Sequence, residues 1–351
     1  MYNERTVMAN TETLSVVMCT YNGAPFLRAQ LDTLLAQTRP ADEIIVQDDR
    51  STDGTWAILE EYAHHHPQIR IHQNATRQGV NGNFFSAIGR AQGSLIALCD
   101  QDDLWEPDKL AVQTAAIGDK LLCASRSQSF TDDGLTIETD PRTPNLSLLR
   151  MCYMAAFAGH TMLMRRQLLS LLPDVSEMTT CRMYDVILAM VAAAHQSISF
   201  VDRALVLHRR FSQAATYTAP TDRSRSPGNV ARYLIRTLRL YHELHPQMQQ
   251  RMAITHRFLG RLTANTPALT DALQFTALQS PAPSRWAALG QFVRLQRFCV
   301  AHCQELFHTP VAPNLLSRLR AAYFPISCSE YFRFLSVRYG RGKDNISDPR
   351  G

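Results

Sequence analysis

The chain has 351 residues, 45% of them apolar and 19% charged, which fits one large or two ordinary folded units and excludes a disordered chain. The net charge of +5 hides a split: residues 1–225 carry 20 Lys and Arg against 25 Asp and Glu, while residues 226–351 carry 16 against 6. No apolar run reaches the roughly 18 residues of a membrane-spanning helix, and no signal peptide is legible, so a cytoplasmic location is expected. The eight cysteines include no C-x-x-C pair, and several sit in apolar runs as reduced core thiols do. Cys299, His302 and Cys303 match no standard zinc spacing.

Residues 1–12 are polar and read as a loose tail. Leu14–Cys19 is an apolar strand, followed by the turn Thr20-Tyr21-Asn22-Gly23 and a helix from about Pro25 to Gln37. Glu43–Gln47 is a second strand, ending in Asp48-Asp49. Ser51-Thr52-Asp53-Gly54 offers N-caps for a helix over Thr55–His66. Ile69–Gln73 is a third strand, and a loop with Arg77 and Gly79 leads to a helix over Gly82–Ala91. Leu95–Cys99 is a fourth strand, and Pro107 opens the next helix. This alternation predicts a parallel sheet with helices on its faces, in which ligands bind at the carboxyl ends of the strands. Thr20-Tyr21-Asn22, Asp48-Asp49 and Asp100–Asp103 all fall at such ends.

Beyond residue 120 the pattern weakens. Leu121–Ser125 and Ser197–Val201 read as strands, Thr131–Asn145 as a loop and Tyr184–Ala194 as a helix. Residues 223–228 read as a linker, and 229–351 as a basic helical region.

Asp100, Asp102 and Asp103 put three carboxylates within four residues at the end of an apolar strand. Like charges this close need a cation among them, and a hard divalent metal is one candidate; a solvated turn that caps the next helix is the other. The absence of G-x-x-x-x-G-K-[ST], G-x-G-x-x-G and G-x-S-x-G argues against a P-loop nucleotidase, a dinucleotide enzyme and an α/β-hydrolase. A metal beside a cleft suits a nucleotide diphosphate, and an aspartate ending the second strand suits the imide N–H of a pyrimidine.

The segments Ser15-Val16-Val17-Met18-Cys19-Thr20-Tyr21-Asn22-Gly23, Val46-Gln47-Asp48-Asp49-Arg50-Ser51-Thr52-Asp53-Gly54-Thr55 and Leu98-Cys99-Asp100-Gln101-Asp102-Asp103-Leu104-Trp105 resemble the signatures of family 2 glycosyltransferases, in particular their bacterial rhamnosyltransferase-like branch. The resemblance covers roughly residues 13–212. It implies an α/β fold of the GT-A nucleotide-diphospho-sugar transferase type over residues 13–222, with a mainly parallel central sheet, helices on both faces and a mainly helical region after it. The implied activity is inverting transfer of a hexosyl or deoxyhexosyl group, rhamnosyl included, from a UDP- or dTDP-sugar, with Mn²⁺ or Mg²⁺, to a glycan or lipid-linked acceptor.

The implied roles are as follows. Thr20, Tyr21, Asn22, Asp48 and Asp49 hold the base and ribose, and Arg77 contacts the donor. Asp100 lies at the ribose or the metal, Asp102 binds the metal, and Asp103 orients the loop. Asp185, opening the helix Tyr184–Ala194, is the base. Gly159-His160-Thr161 resembles the acceptor-side wall, with His160 where Cys is common. One departure stands out: the branch closes its domain with Y-R-x-H, whereas this chain has His208-Arg209-Arg210-Phe211. His208 is then a candidate ligand from a shifted frame, and Arg209 or Arg210 a candidate for the diphosphate.

Two rival readings are a nucleotidyltransferase of nucleotide-sugar synthesis, which should carry a Gly-rich, Arg-containing loop after the first strand, and a non-catalytic sugar-binding module, which needs no base. The basic C-terminal region suggests an anionic membrane surface on the inner face of the cell membrane, or else a solvated cap or oligomer interface; no nucleic acid is expected.

Overall fold

Every residue of Leu14–Thr20 and of Glu43–Asp48 is buried. Strands covered on both faces read as unbroken apolar runs and belong in the middle of a parallel sheet. The computed structural model describes residues 12–131, 136–137, 143–210, 227–307 and 314–328. Its first part runs β1 (Leu14–Thr20), α1 (Ala24–Leu35), β2 (Glu43–Asp48), α2 (Thr55–His65), β3 (Ile69–Gln73), α3 (Gly79–Arg90) and β4 (Leu95–Asp100). Next come β5 (Leu104–Trp105), α4 (Lys109–Ile117), β6 (Leu122–Phe130), β7 (Thr136–Ile137), α5 (Leu148–Met151), β8 (Met162–Arg165), α6 (Gln167–Ser170), α7 (Tyr184–Ala194) and β9 (Ile198–Arg209). The C-terminal region holds α8 (Pro227–Leu259), α9 (Pro267–Leu278), α10 (Arg285–Ala301), α11 (Cys303–Leu306) and α12 (Leu315–Ser327).

The strands lie in the order β3-β2-β1-β4-β8-β6-β9-β5, with β7 on β6. The first four are mutually parallel, as the alternation predicts. β8 then pairs antiparallel with both β4 and β6, and β5 antiparallel with β9, so the sheet is mixed. β5 and β8 have two and four residues, too few to show a period. β6 and β9 extend well past their apolar starts because their distal halves pair with each other across polar residues. Register sets the strand ends level: Thr20 stands beside Asp48, and Cys19 beside Asp100.

Two apolar cores flank the sheet. Val16, Met18, Leu27, Leu31 and Leu110 belong to one. Val17, Ile45, Phe84, Leu98 and Ile187 belong to the other, which continues without a break into Met248, Phe275, Phe298 and Phe324 of the C-terminal helices. Those helices therefore pack on the sheet domain through α5 and α7. The eight cysteines are all buried, and none is in a disulfide. Residues 1–11 of the expected tail, 132–135 and 138–142 of the expected loop, Phe211 and residues 223–226 of the expected linker lie outside the described residues; the two-residue strand β7 falls inside that loop, and Pro227 and Gly228 open α8.

Candidate active site

The loops after β1, β2 and β4 meet at one edge, tied by side chains that the strand ends supply. Asn22 takes a left-handed backbone (φ 49°), which asparagine tolerates. Its N–H donates to Ser51 Oγ at 2.9 Å and its Oδ1 accepts from Thr52 N at 2.8 Å, stapling the first loop to the second. Asp53 accepts from Thr55 N with one oxygen (3.0 Å) and from Ala24 N with the other (3.2 Å), so one carboxylate caps both α2 and α1.

Asp48 and Asp49 are both buried, and they differ in how far they are occupied. Asp48 Oδ1 accepts from Thr20 Oγ1 (2.9 Å) and Ser51 Oγ (2.5 Å), and its Oδ2 from Ser51 N and Gln73 Nε2, both at 3.0 Å. All four of its acceptor positions are taken. Asp49 Oδ1 accepts from Gln78 N (2.6 Å) and Asn74 Nδ2 (2.8 Å), and its Oδ2 accepts from Gly79 N alone (2.8 Å). It anchors the start of α3 and keeps one acceptor position. The Arg77 guanidinium lies over the Tyr21 ring, 3.8 Å from its centroid, which brings two predicted donor contacts together as one slab.

Gln101, inside the acidic motif, escapes sequence reasoning. Its Oε1 accepts from Tyr21 N at 2.8 Å and its Nε2 donates to Tyr21 O at 3.0 Å. A Cβ at position 23 would run into the same Gln101 side chain, which is why Gly23 follows Asn22. An uncharged amide between two aspartates was the available signal.

His160 lies against two of the three carboxylates. Its Nδ1 lies 3.3 Å from Asp100 Oδ2 and 3.2 Å from Asp103 Oδ2, and its side chain is 3% exposed. Burial alone would lower its pKa, but Asp103 and Asp100 prevail and hold it well above the ordinary histidine range. Burial raises the pKa of Asp103, and burial with the nearby Asp100 charge raises that of Asp102 to about 6. His208 lies 4.7 Å from His160, ring to ring, and burial and the His160 charge push its pKa down to about 3. One ligand atom each from Asp103, His160 and His208 falls within 4.8 Å of the others. Arg209 N donates to Asp103 Oδ1 (3.2 Å) and Arg209 Nε to Asp102 O (3.1 Å), so β9 clamps the acidic loop. Arg210 N donates to Phe130 O at 2.7 Å. Beneath the loop, Lys109 lies fully buried with its Nζ 3.7 Å from the centre of Trp105 and 2.8 Å from Gln113 Oε1.

Asp185 opens α7 and accepts from Gly159 N at 3.1 Å through Oδ2. The next residue after Gly159 is His160, so one short segment joins Asp185 to the acidic cluster. Asn81 fixes this helix start by accepting from Tyr184 N and donating to the carbonyls of Thr179 and Arg182. Tyr184 stacks on Phe84 with centroids 3.8 Å apart. A second group, Asp271, His302 and Glu305, lies among the C-terminal helices, far in sequence from these loops.

A mixed sheet with its polar loops at the ends of parallel strands, followed by helices, is the GT-A type of nucleotide-sugar transferase fold. The Staphylococcus aureus TarS fragment 1–349, solved with UDP-GlcNAc, shares it with a TM-score of 0.55 at 16% identity over 93% of this chain and 92% of that one. Residues 15–172, a little under half of the chain, match the model of Glycosyl transferase family 2. It is similar to the Mycobacterium tuberculosis protein Rv1520, 30% identical over 223 residues, 60% of this chain and 62% of that one. It is also similar to the putative teichuronic acid biosynthesis glycosyltransferase TuaG of Bacillus subtilis, 32% identical over 131 residues, 37% of this chain and 50% of that one. The chain thus spans less than two thirds of the length of these relatives.

Proposed function

We propose that the chain is a metal-dependent, inverting glycosyltransferase that moves a hexosyl or deoxyhexosyl group from a UDP- or dTDP-sugar to an acceptor hydroxyl in the assembly of a bacterial surface polysaccharide or lipid-linked glycan. The observation that carries this reading is the convergence on one sheet edge of the Tyr21–Arg77 slab, the Asp100–Asp103 cluster and Asp185. The similarity to TuaG supports the polysaccharide context.

In this reading the pyrimidine lies by Tyr21 and Arg77. Its imide N–H needs an acceptor, and the remaining position on Asp49, against none on Asp48, supports giving that contact to Asp49. A divalent cation, Mn²⁺ or Mg²⁺, suits the oxygen ligands of Asp100 and Asp102. His160 Nε2 is buried without a hydrogen bond; a metal there would take the place of that nitrogen's proton and leave Nδ1–H on Asp100 and Asp103, so the bound metal and the charged histidine are alternative states of the cluster. Asp103, His160 and His208 would then supply a histidine-containing shell in place of the histidine missing from position 211. When bound, the cation offsets the charge that builds on the leaving diphosphate. Arg210 is assigned to the same diphosphate, and Arg209 to holding the loop.

Asp185 takes the proton of the acceptor hydroxyl as that oxygen bonds to the anomeric carbon. The bond from that carbon to the diphosphate oxygen breaks on the opposite face, which inverts the centre. The Gly159 N–H orients the carboxylate without neutralising it.

Thermal-shift titration of the full chain with UDP-, dTDP- and GDP-sugars, with and without Mn²⁺, tests the proposal. A matched donor at a hundred times its Kd should stabilise the fold by about 2.7 kcal/mol. No stabilisation by any nucleotide sugar in the presence of metal overturns it.

A further inference from the structure

The C-terminal helices leave apolar side chains in solvent that the fold does not use. On α8, Ile235 and Leu238 are 68% and 52% exposed; on α12, Leu315, Leu316 and Leu319 are 76%, 76% and 59% exposed. The two helices touch where Tyr323 OH lies 2.8 Å from Thr237 Oγ1 and 3.4 Å from Leu234 O. The exposed leucines of α12 therefore sit one to two turns along that helix from the point where it meets α8, beside the segment that carries Ile235 and Leu238. Isolated exposed leucines are ordinary, but five on two adjoining helices mark an interaction surface.

Charge decides what that surface fits. The α8 stretch reads Ile235-Arg236-Thr237-Leu238-Arg239, and the α12 stretch reads Leu315-Leu316-Ser317-Arg318-Leu319-Arg320. Each exposed apolar side chain thus has an arginine within three positions, and all four arginines are themselves exposed. Neither stretch contains an acidic residue, although Arg239 Nε lies 2.9 Å from Glu243 Oε1 one turn on in solvent, and residues 226–351 carry 16 Lys and Arg against 6 Asp and Glu. A two-fold dimer would set this face against its own copy, cation on cation. A bilayer with anionic lipid suits both halves of the pattern: leucines enter the acyl boundary while guanidinium groups reach the phosphates on long apolar stems. Among the described residues no helix is long and apolar enough to cross a membrane, so the contact is with its surface.

We propose that the exposed face shared by α8 and α12 docks the protein on an anionic lipid bilayer. This stands on the C-terminal helices alone and does not depend on the transferase reading.

Cosedimentation of the full chain with phosphatidylcholine vesicles, with and without a quarter phosphatidylglycerol, tests it at about 50 and 500 mM NaCl, where screening differs strongly. Binding is expected only with phosphatidylglycerol and should fall at high salt. Arg239→Ala with Arg318→Ala should weaken it about 30-fold, at about 1 kcal/mol for each cation near the surface. Ile235→Ser with Leu319→Ser should also weaken it. Both pairs replace exposed side chains, so melting temperatures should match the parent and exclude misfolding as the cause. Binding that ignores lipid charge, no binding at either salt, or a dimer that Ile235→Ser with Leu319→Ser dissociates would each overturn the proposal; the last would assign the face to a second copy.

Discussion

His160 Nδ1 stands 3.2 Å from Asp103 Oδ2, and both side chains are almost wholly removed from water. A buried pair of this kind is costly to break because one charge is left without compensation. His160→Cys should therefore destabilise the fold by about 3–5 kcal/mol at pH 8 with chelator present. The histidine pKa is raised, so its contribution is complete below the unfolded value near 6.5 and is lost as pH rises through the folded one. Asp103 also has a raised pKa, and its protonation dissolves the pair from the acid side. Urea unfolding across pH should show the largest difference between variant and parent at intermediate pH; a flat difference would contradict the assignment.

Lys109 tests the opposite sign. Burial lowers its pKa from 10.5 to about 7, so between those values the unfolded chain holds a proton that the folded chain lacks. That proton difference makes the parent gain stability with rising pH, by at most about 1.4 kcal/mol per unit. Lys109→Met removes the group. Whatever its stability relative to the parent at pH 6, that relative stability should decline between pH 7 and 10, as read by denaturant midpoints.

Gln101→Ala removes both hydrogen bonds that hold the Tyr21 backbone. At about 1 kcal/mol each, the loss should weaken nucleotide binding roughly 10- to 30-fold. Calorimetry with UDP and dTDP checks this; unchanged affinity would mean that the Tyr21 loop does not hold the nucleotide.

Asp185→Asn should lower kcat by about 10²–10⁴-fold. Donor Kd should hold within about twofold, well under the tenfold that 1.4 kcal/mol represents. Equal turnover by the variant would remove Asp185 from the chemistry and favour a binding module.

Asp49→Asn replaces an acceptor by an amide that also donates. If Asp49 meets the imide N–H, the variant should lose UDP affinity and gain in relative preference for CDP, whose ring nitrogen accepts. Competition binding between the two nucleotides measures this. Asp48→Asn should destabilise the fold without changing that preference, because all four acceptor positions of Asp48 serve the loops.

The parallel half of the sheet was legible because buried strands and amphipathic helices alternate there, with Gly, Pro and Asp marking the breaks. The limits of β3 and α7 fall where the apolar pattern puts them, at Ile69–Gln73 and Tyr184–Ala194. β5 and β8 were not legible, since strands of two and four residues are defined only by their partners. At the candidate site, the clustering of Thr20, Asp48 and Asp100 followed from strand ends. The placement of His160 against Asp100 and Asp103, sixty and fifty-seven positions away in the chain, is a tertiary fact that spacing does not encode. The same holds for Lys109 under Trp105, where a charged letter in the sequence hides a buried side chain.

Gln101 lies between Asp100 and Asp102 and yet spends both ends of its amide on Tyr21. A displacement of the acidic loop is therefore passed to the Tyr21 backbone, and from there to the Arg77 guanidinium above its ring. In the proposed function, occupancy at the carboxylates and occupancy at the aromatic slab would be linked through this residue. Linkage is reciprocal: whatever factor a cation adds to the affinity for a nucleotide, the nucleotide returns to the cation. If the carboxylates hold a cation and the slab a nucleotide, Gln101 is the residue through which each would feel the other, and Gln101→Ala should reduce that mutual factor toward one.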